Sequence, residues 1–324
     1  MEYTRLGRSG LRVSRIALGC MSFGDPVTGF QQWTLPQDEA LPYFRQALDL
    51  GINFWDTANV YSYGDSERIV GEALRRFTQR DAIVVATKVF IKVGDGPGDS
   101  GLSRKAIMQQ VDASLTRLGT DYIDLYQIHR FDPNTPVEET MEALHDLVKA
   151  GKVRYLGASA MWAWQFAKMQ TAADVHGWTR FISMQDQYSL LYREEEREMF
   201  GLLADQGVGS IPYSPLAKGR VARPAGDQTK RSSDDPVGNS FFADTERDRP
   251  VIDAVEQVAT ARNVPMAQVA LAWVLTNPVV SAPIIGATKP HHLNDAAAAV
   301  DLKLTPDELT ALGQHYTVRA AGGF

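Results

Sequence analysis

The chain has little of what marks several protein classes. It holds a single cysteine, Cys20, in 324 residues, which excludes an internal disulfide and any cysteine-based zinc cluster. No run approaches the ~18 apolar residues that a bilayer span needs. The first ten residues have no apolar stretch of the kind a secretory signal carries, so no export signal is expected. Positive charge is not in excess, with 33 Lys and Arg against 39 Asp and Glu and a net charge of −6. Nucleic-acid scaffolds and polybasic membrane binders draw affinity from clustered Lys and Arg, so neither kind of partner is expected. None of the histidines forms a His-x-x-x-His pair, and no metal is expected. Gly157-Ala-Ser159 lacks the closing glycine of a Gly-x-Ser-x-Gly elbow, which leaves acyl transfer by serine without support. A cytoplasmic domain of ordinary globular composition, 44% hydrophobic and 22% charged, is what remains.

Short apolar runs alternate with longer amphipathic ones. The runs are Ile16–Gly19, Asn53–Asp56, Ala82–Lys88, Tyr122–His129, Val153–Ser159, Phe181–Gln185, Gly209–Tyr213 and Ala282–Ile285. Between most of them lie stretches of helical spacing such as Asp38–Leu50, Ser103–Leu118 and Val137–Ala150. Thr135-Pro136-x-Glu138 and Thr305-Pro306-x-Glu308 read as capping boxes. Strands that alternate with helices imply a parallel sheet, and eight such units favour one closed (β/α)8 barrel, a TIM barrel, over residues 1–324. Tyr3–Leu6 and Leu11–Val13 read as an N-terminal β-hairpin that plugs one end. Residues 217–249 are rich in Gly, Pro, Ser, Asp and Arg and read as a long covering loop or lid.

Chemistry in such barrels sits at the C-terminal ends of the strands. Those ends carry Asp56, Lys88, His129, Ser159, Gln185, Tyr213-Ser214 and Gly286-x-Thr288-Lys289. Asp56 also fits the N-cap of the next helix, and Ser159 and Thr288 can be helix caps. Lys88 follows six residues of strand character, so burial demands a carboxylate partner, which Asp56 on the adjacent strand can supply. Tyr61 lies where the loop after Asp56 can fold it back over the rim. It can be mere packing, but beside an ammonium its pKa is expected to fall, which makes it a candidate proton donor. His129 alone would read as structural; beside this trio it reads as catalytic. His145 and His176 fall in helical stretches, while His291, His292 and His315 are expected at the surface. Gly96-Pro-Gly98-Asp-Ser-Gly101 matches G-x-G-x-x-G literally, but its first glycine follows Lys88 by eight residues and a proline fills the turn. It reads as a flexible active-site loop, not a dinucleotide fingerprint.

The order Asp56, Tyr61, Lys88, His129 along such a chain resembles the aldo-keto reductase superfamily. The resemblance covers nearly the whole chain. It is carried by Arg5-Leu-Gly-x-Ser-Gly-Leu-x-Val-Ser, Gly51-Ile-Asn-Phe-Trp-Asp56-Thr-Ala-x-Val-Tyr61 and Arg117-Leu-Gly-Thr-Asp-Tyr-Ile-Asp-Leu-Tyr-x-Ile-His129. Ser214-Pro-Leu-Ala-Lys-Gly219 and Pro283-Ile-Ile-Gly-Ala-Thr-Lys289 complete it. In overall look the chain is more similar to bacterial-type reductases and potassium-channel β-subunits than to the aldose-reductase branch.

The resemblance implies an NADPH-dependent reductase of aldehydes and ketones. Tyr61 would be the general acid, Lys88 with Asp56 would tune it, and His129 would orient the carbonyl. Tyr213 would stack on the nicotinamide, with Ser159 and Gln185 on its carboxamide. Ser214, Leu216, Lys218 and Gly219 would line the pyrophosphate. Gly286, Thr288 and Lys289 would hold the adenosine phosphate, with His292 and Asp295 near the adenine. Ala160 stands where many relatives carry Asn or Arg, and Thr288 where they often carry Arg, so phosphate binding is expected to rest on Lys289 and a lid arginine such as Arg231. Phe23, Trp33, Val60, Phe90, Trp162 and Tyr188 are expected to line the substrate pocket and to favour an apolar or aromatic carbonyl compound. The alternative is a redox-sensing regulatory subunit with slow turnover. The start of the chain four residues before the hairpin motif favours the stand-alone enzyme. A barrel lyase or isomerase is a third reading, set aside by the whole-chain resemblance.

Overall fold

The computed structural model describes residues 1–27, 29, 31–227, 242 and 245–322, and its strands fall where the apolar runs lie. β1 (Tyr3–Arg5) and β2 (Arg12–Ser14) form an antiparallel hairpin. Eight parallel strands follow: β3 (Ala17–Gly19), β4 (Phe54–Asp56), β5 (Val84–Val89), β6 (Ile123–Ile128), β7 (Val153–Ser159), β8 (Phe181–Gln185), β9 (Gly209–Ser210) and β10 (Ile284–Gly286). Their spatial order is β10-β3-β4-β5-β6-β7-β8-β9. The two ends of this sheet meet. Ser210 bridges Val280 in parallel, Ser281 N–H donates to Ser210 O at 2.8 Å, and Ile284 N–H donates to Pro212 O at 2.9 Å. The sheet thus closes into a (β/α)8 barrel.

The helices are α1 (Gln37–Asp49), α2 (Asp65–Phe77), α3 (Arg104–Leu118), α4 (Val137–Lys149), α5 (Ala163–His176), α6 (Met199–Gln206), α7 (Thr245–Arg262), α8 (Met266–Thr276), α9 (His291–Asp301) and α10 (Pro306–Gly313). One connects each pair of successive strands from β3 to β9, α7 and α8 together connect β9 to β10, and the last two follow β10. The box at α10 forms as expected: Glu308 N–H donates to Thr305 Oγ1 and Thr305 N–H to Glu308 Oε2. The box expected at Thr135 does not form. The helix starts one residue later than the box requires, with Pro136 at its N-cap, and the Thr135 hydroxyl donates to Asp132 Oδ2 at 2.8 Å in the preceding loop.

Two apolar clusters explain how the barrel holds the site. One lies between sheet and helices. The other fills the barrel interior with Phe54, Val84, Ala86, Leu125 and Ile211, and the hairpin adds Leu6 and Val13 to it. The hairpin therefore plugs the N-terminal end. Two residues further along the inward-facing rows, period-2 alternation sets Asp56, Lys88, Gln127 and Gln185 above this apolar floor, all buried. The interior is oil below and polar above.

The segment 217–249 departs from the expected loop at both ends. Ala217–Ala222 is 3-10 helical with a kink at Lys218 and Gly219. α7 already begins at Thr245, where Glu246 and Asp248 in the first turn favour the positive end of the helix dipole. Arg231 and the middle of the expected lid lie outside the described residues. No helix is long and apolar enough to cross a membrane among the described residues.

The plug is fastened at Gly7. Its φ is +58°, and a Cβ there would lie 2.5 Å from Gly207 O and 2.7 Å from Gly209 N, both backbone atoms that cannot yield cheaply. Gly7→Ala is expected to lose about 2–4 kcal/mol from overpacking and left-handed strain. Gly10→Ala, with nothing within 4 Å of its Cβ, serves as control. Urea unfolding midpoints decide; a Gly7→Ala midpoint equal to wild type would show that the plug is not a fixed part of the barrel.

Candidate active site

Register places the charged pair. Asp56 on β4 lies opposite Ala86 on β5, so Lys88, two residues on, faces the same interior over Asp56. Lys88 is wholly buried. Its Nζ donates to Asp56 Oδ2 at 2.6 Å, Thr57 O at 2.8 Å and Tyr61 Oη at 3.3 Å. An ammonium has three N–H donors and no acceptor, so all are used and the Tyr61 oxygen accepts. The Tyr61 proton is left to point elsewhere, and Tyr61 lines the main cavity. Asp56 Oδ1 accepts from Gln127 Nε2 at 2.8 Å and Gln185 Nε2 at 2.9 Å. The buried carboxylate is fully engaged.

Burial is the largest influence on Lys88 and alone would lower its pKa, but Asp56 and Tyr61 together more than offset it and the ammonium ends above its ordinary value. The Tyr61 phenol also ends above its ordinary value, because burial raises it more than Lys88 lowers it and Asp56 opposes Lys88. The expected fall is reversed. The phenol therefore keeps its proton at neutral pH, as a donor must. His129 stands edge-on to Tyr61 with ring centroids 5.8 Å apart. Burial first, then Lys88 and Arg130, hold it well below the usual histidine range. Its Nδ1 is buried with no hydrogen-bond partner, so the ring is a neutral imidazole.

A cavity of about 1480 Å³ opens above this cluster, larger than the ~300–1,000 Å³ of ordinary small-molecule pockets. Asp56, Tyr61 and His129 line it, with Lys88 behind them. Ser159, Gln185, Tyr213, Ser214, Leu216 and Lys218 also line it, as do Gly219, Gly286, Thr288, Lys289, His292 and Asp295. Several are already engaged: Ser159 Oγ donates to Gln185 O, Asp295 accepts from Gln268, and His292 Nδ1 accepts Thr288 N–H. His292 is not a surface histidine; burial, then His291 and Lys289, push its pKa down to about 4.

Gln187 is a wall residue that the strand-end reading passed over. It is buried, and neither its amide nitrogen nor its oxygen has a partner. Its spacing of two from Gln185 was the available signal, since alternate residues of an extended chain share a face. These groups suit an extended dinucleotide: an unpaired amide for a carboxamide, the Tyr213 ring, and Lys218, Arg223 and Lys289 as cations for phosphates. Among the described residues no cluster of His, Cys, Asp or Glu is arranged to hold a metal.

The rim is strained. Among the described residues the non-glycine residues with positive φ are Ser62, Tyr63, Phe90, Ala160, Ser214, Ala217, Lys218 and Asn263, and all but Asn263 lie in segments that leave the C-terminal ends of the strands. Such backbone persists at sites where the surroundings over-determine it.

Of the six residues expected in the substrate wall, the structure brings Trp33 to the cavity and not the others. Phe23 packs on Phe44 at 5.0 Å between centroids. Tyr188 lies between Phe200 and Trp273, with its hydroxyl donating to Glu196. Phe90 packs on the outer core, Val60 is buried and Trp162 is 45% exposed. Met21, Leu35, Ile91 and Arg130 line the cavity as well. The Gly96–Gly101 turn does not reach the cavity: Asp99 accepts Gly96 N–H and a Gln109 N–H, which ties it to α3.

Residues 15–317 match the model of the Aldo/keto reductase family. An aldo-keto reductase of Fusarium vanettenii is 45% identical over 100% of this chain and 93% of its own. The versiconal hemiacetal acetate reductase of Aspergillus parasiticus is 44% identical over 99% of this chain and 98% of its own. A putative aryl-alcohol dehydrogenase of Schizosaccharomyces pombe is 42% identical over 97% of this chain and 95% of its own.

The neutral His129 has a consequence for stability. Its pKa is lower folded than unfolded, so below about pH 6.5 the unfolded chain takes up a proton that the fold resists. Stability then falls with pH at up to about 1.4 kcal/mol per unit from this site. Unfolding midpoints measured from pH 7 to 5 should fall less steeply in His129→Gln; identical slopes would mean that His129 protonates freely in the folded state.

Proposed function

Because the chain belongs to the aldo/keto reductase family and is thus an oxidoreductase, we propose that it reduces aldehydes and ketones with NADPH, using Tyr61 as the general acid. The observation that carries this reading is the saturation of the Lys88 ammonium. It commits the Tyr61 oxygen as an acceptor and leaves the phenol proton for a carbonyl in the cavity.

NADPH, when bound, supplies the hydride that reaches the carbonyl carbon. As the C=O π bond opens, its oxygen takes the Tyr61 proton. The phenolate left behind is stabilised by Lys88, already in hydrogen-bond contact with it. Asp56 keeps Lys88 charged, and Gln127 and Gln185 keep Asp56 in place. The neutral His129 donates a hydrogen bond that orients the carbonyl and shares its developing charge. The unpaired Gln187 amide, in the same cavity wall as Ser159 and bridged to Tyr213, suits the carboxamide. Lys289, with Lys218 and Arg223 on the same wall, suits a 2′-phosphate better than a bare ribose, and Asp295 is held by Gln268. The names of the relatives speak of a hemiacetal acetate and of aryl alcohols. With Met21, Trp33, Leu35 and Ile91 in the wall, aromatic aldehydes are the first substrates to test.

NADPH oxidation followed by absorbance across aldehydes, ketones and quinones is the test. Tight NADPH binding with negligible turnover across the panel would favour the redox-sensing alternative. Tyr61→Phe keeps the ring and removes the proton, so turnover should fall roughly 10²–10⁴-fold with NADPH affinity unchanged; a variant with most of its activity would overturn the role. Lys289→Ala should weaken NADPH by about ten- to a hundredfold and leave NADH little changed, as expected for one charge-assisted contact. Equal losses for both cofactors would remove the phosphate assignment.

A further inference from the structure

The end of the cavity that holds Tyr61 and His129 also holds a cation without a counter-ion. Arg130 follows His129 directly, lines the cavity and is partly buried. Its Nη1 donates to His129 O at 2.6 Å, which pins one arm of the guanidinium to the strand end. Among the described residues it makes no other hydrogen bond and no ion pair. Its remaining N–H donors are unused.

The nearby carboxylates are committed. Asp132 Oδ2 accepts Leu102 N–H and the Thr135 hydroxyl, and its Oδ1 accepts Asn134 N–H. Asp56 is taken by Lys88 and two amides. Arg130 lines the same cavity as Tyr61, His129 and Tyr213 and is bonded to the His129 carbonyl, which puts the guanidinium at the end of the cavity where a reacting carbonyl would lie. From there its charge works against the rise that burial gives the Tyr61 pKa and adds to the fall that burial gives that of His129. It is not needed for cofactor phosphates, which have Lys218, Arg223 and Lys289 elsewhere on the wall.

A half-buried guanidinium with no counter-ion, and with one face open to the cavity, is placed to receive an anion that enters it. Its planar fork matches a carboxylate in a bidentate fashion. We propose that Arg130 determines specificity, selecting carbonyl substrates whose aromatic or apolar body carries a carboxylate. The apolar wall of Met21, Trp33 and Ile91 receives the body, the fork receives the carboxylate, and the carbonyl meets Tyr61. This rests on the reductase reading above.

The test compares the positional isomers of carboxybenzaldehyde with their methyl esters, which have similar shape and no charge. In the NADPH-loaded wild type, at least one acid should exceed its ester in kcat/KM by about ten- to a hundredfold. Arg130→Met should erase that preference through the KM of the acid, leaving the ester nearly unchanged and NADPH affinity intact. Arg130→Lys should keep part of the preference. No acid preferred over its ester in wild type overturns the proposal. So does an equal loss on acid and ester in Arg130→Met, which would make Arg130 a support for His129. A second readout does not need turnover: benzoate, but not benzamide, should quench tryptophan fluorescence of the NADPH-loaded protein in an Arg130-dependent way. Reduction of carbonyls without acid preference defeats this inference alone. Arg130-dependent benzoate binding without any reduction defeats the reductase reading and leaves the anion site standing.

Discussion

A lysine ammonium buried to the last atom is tolerable only if every N–H has an acceptor and the charge has a partner. Lys88 meets both conditions with Asp56, Thr57 and Tyr61, and the rest of the site follows from how they are met. Asp56 must face inward from β4 in register with β5. Its second oxygen must be satisfied from β6 and β8, which Gln127 and Gln185 do. The loop after β4 must then return Tyr61 over the lysine, and the chain leaves it through the left-handed pair Ser62 and Tyr63. Four strands are locked in relative position by one charge.

On the proposed function the barrel divides the work by strand order. β4, β5 and β6, with the loop after β4, bring Asp56, Tyr61, Lys88 and His129, the groups proposed to handle the proton. The residues suited to a dinucleotide come from β7 onward, and increasingly from backbone beyond the strands, as at Ser214, Lys218 and Lys289. This fits the demands of each task. A proton must travel along one fixed line, which suits the proposed donor Tyr61 set against the buried, hydrogen-bonded Lys88–Asp56 pair. A long dinucleotide needs many separate contacts spread along a wall, which loops supply more readily than a sheet.

The alternation of apolar and amphipathic runs made the barrel and its plug legible in the sequence, because buried parallel strands and surface helices differ in both length and period. The rim was legible for the same reason, since strand ends are where such runs stop. Residue type did not reveal direction. Phe23 and Tyr188 are aromatic and near the rim in sequence, yet they point into packing between sheet and helices. Gln187 and Arg130 lie just beyond the runs that announced their neighbours, where no hydrophobic pattern marks a facing side chain. The Tyr61 pKa reversed because a sequence shows the nearby lysine but not the depth of burial, and depth dominates. At Thr135 the motif marked the start of a helix to within one residue but not its register: the helix begins at Val137 with Pro136 at the N-cap, and Thr135 belongs to the loop that Asp132 organises.

The left-handed residues of the rim bear on how this protein responds to selection for heat resistance. Such backbone costs roughly 1 kcal/mol or more per non-glycine residue, and Ser62, Ala160, Ser214 and Lys218 are among those held there. Replacing half-buried Ser214 or Lys218 with glycine relieves strain and can raise the melting temperature without touching the core. The same replacement removes a side chain or loosens a loop at the mouth of the cavity. A search that scores survival on heating alone will therefore be drawn to the rim, and its gains in durability will be drawn from the part of the molecule that handles ligands.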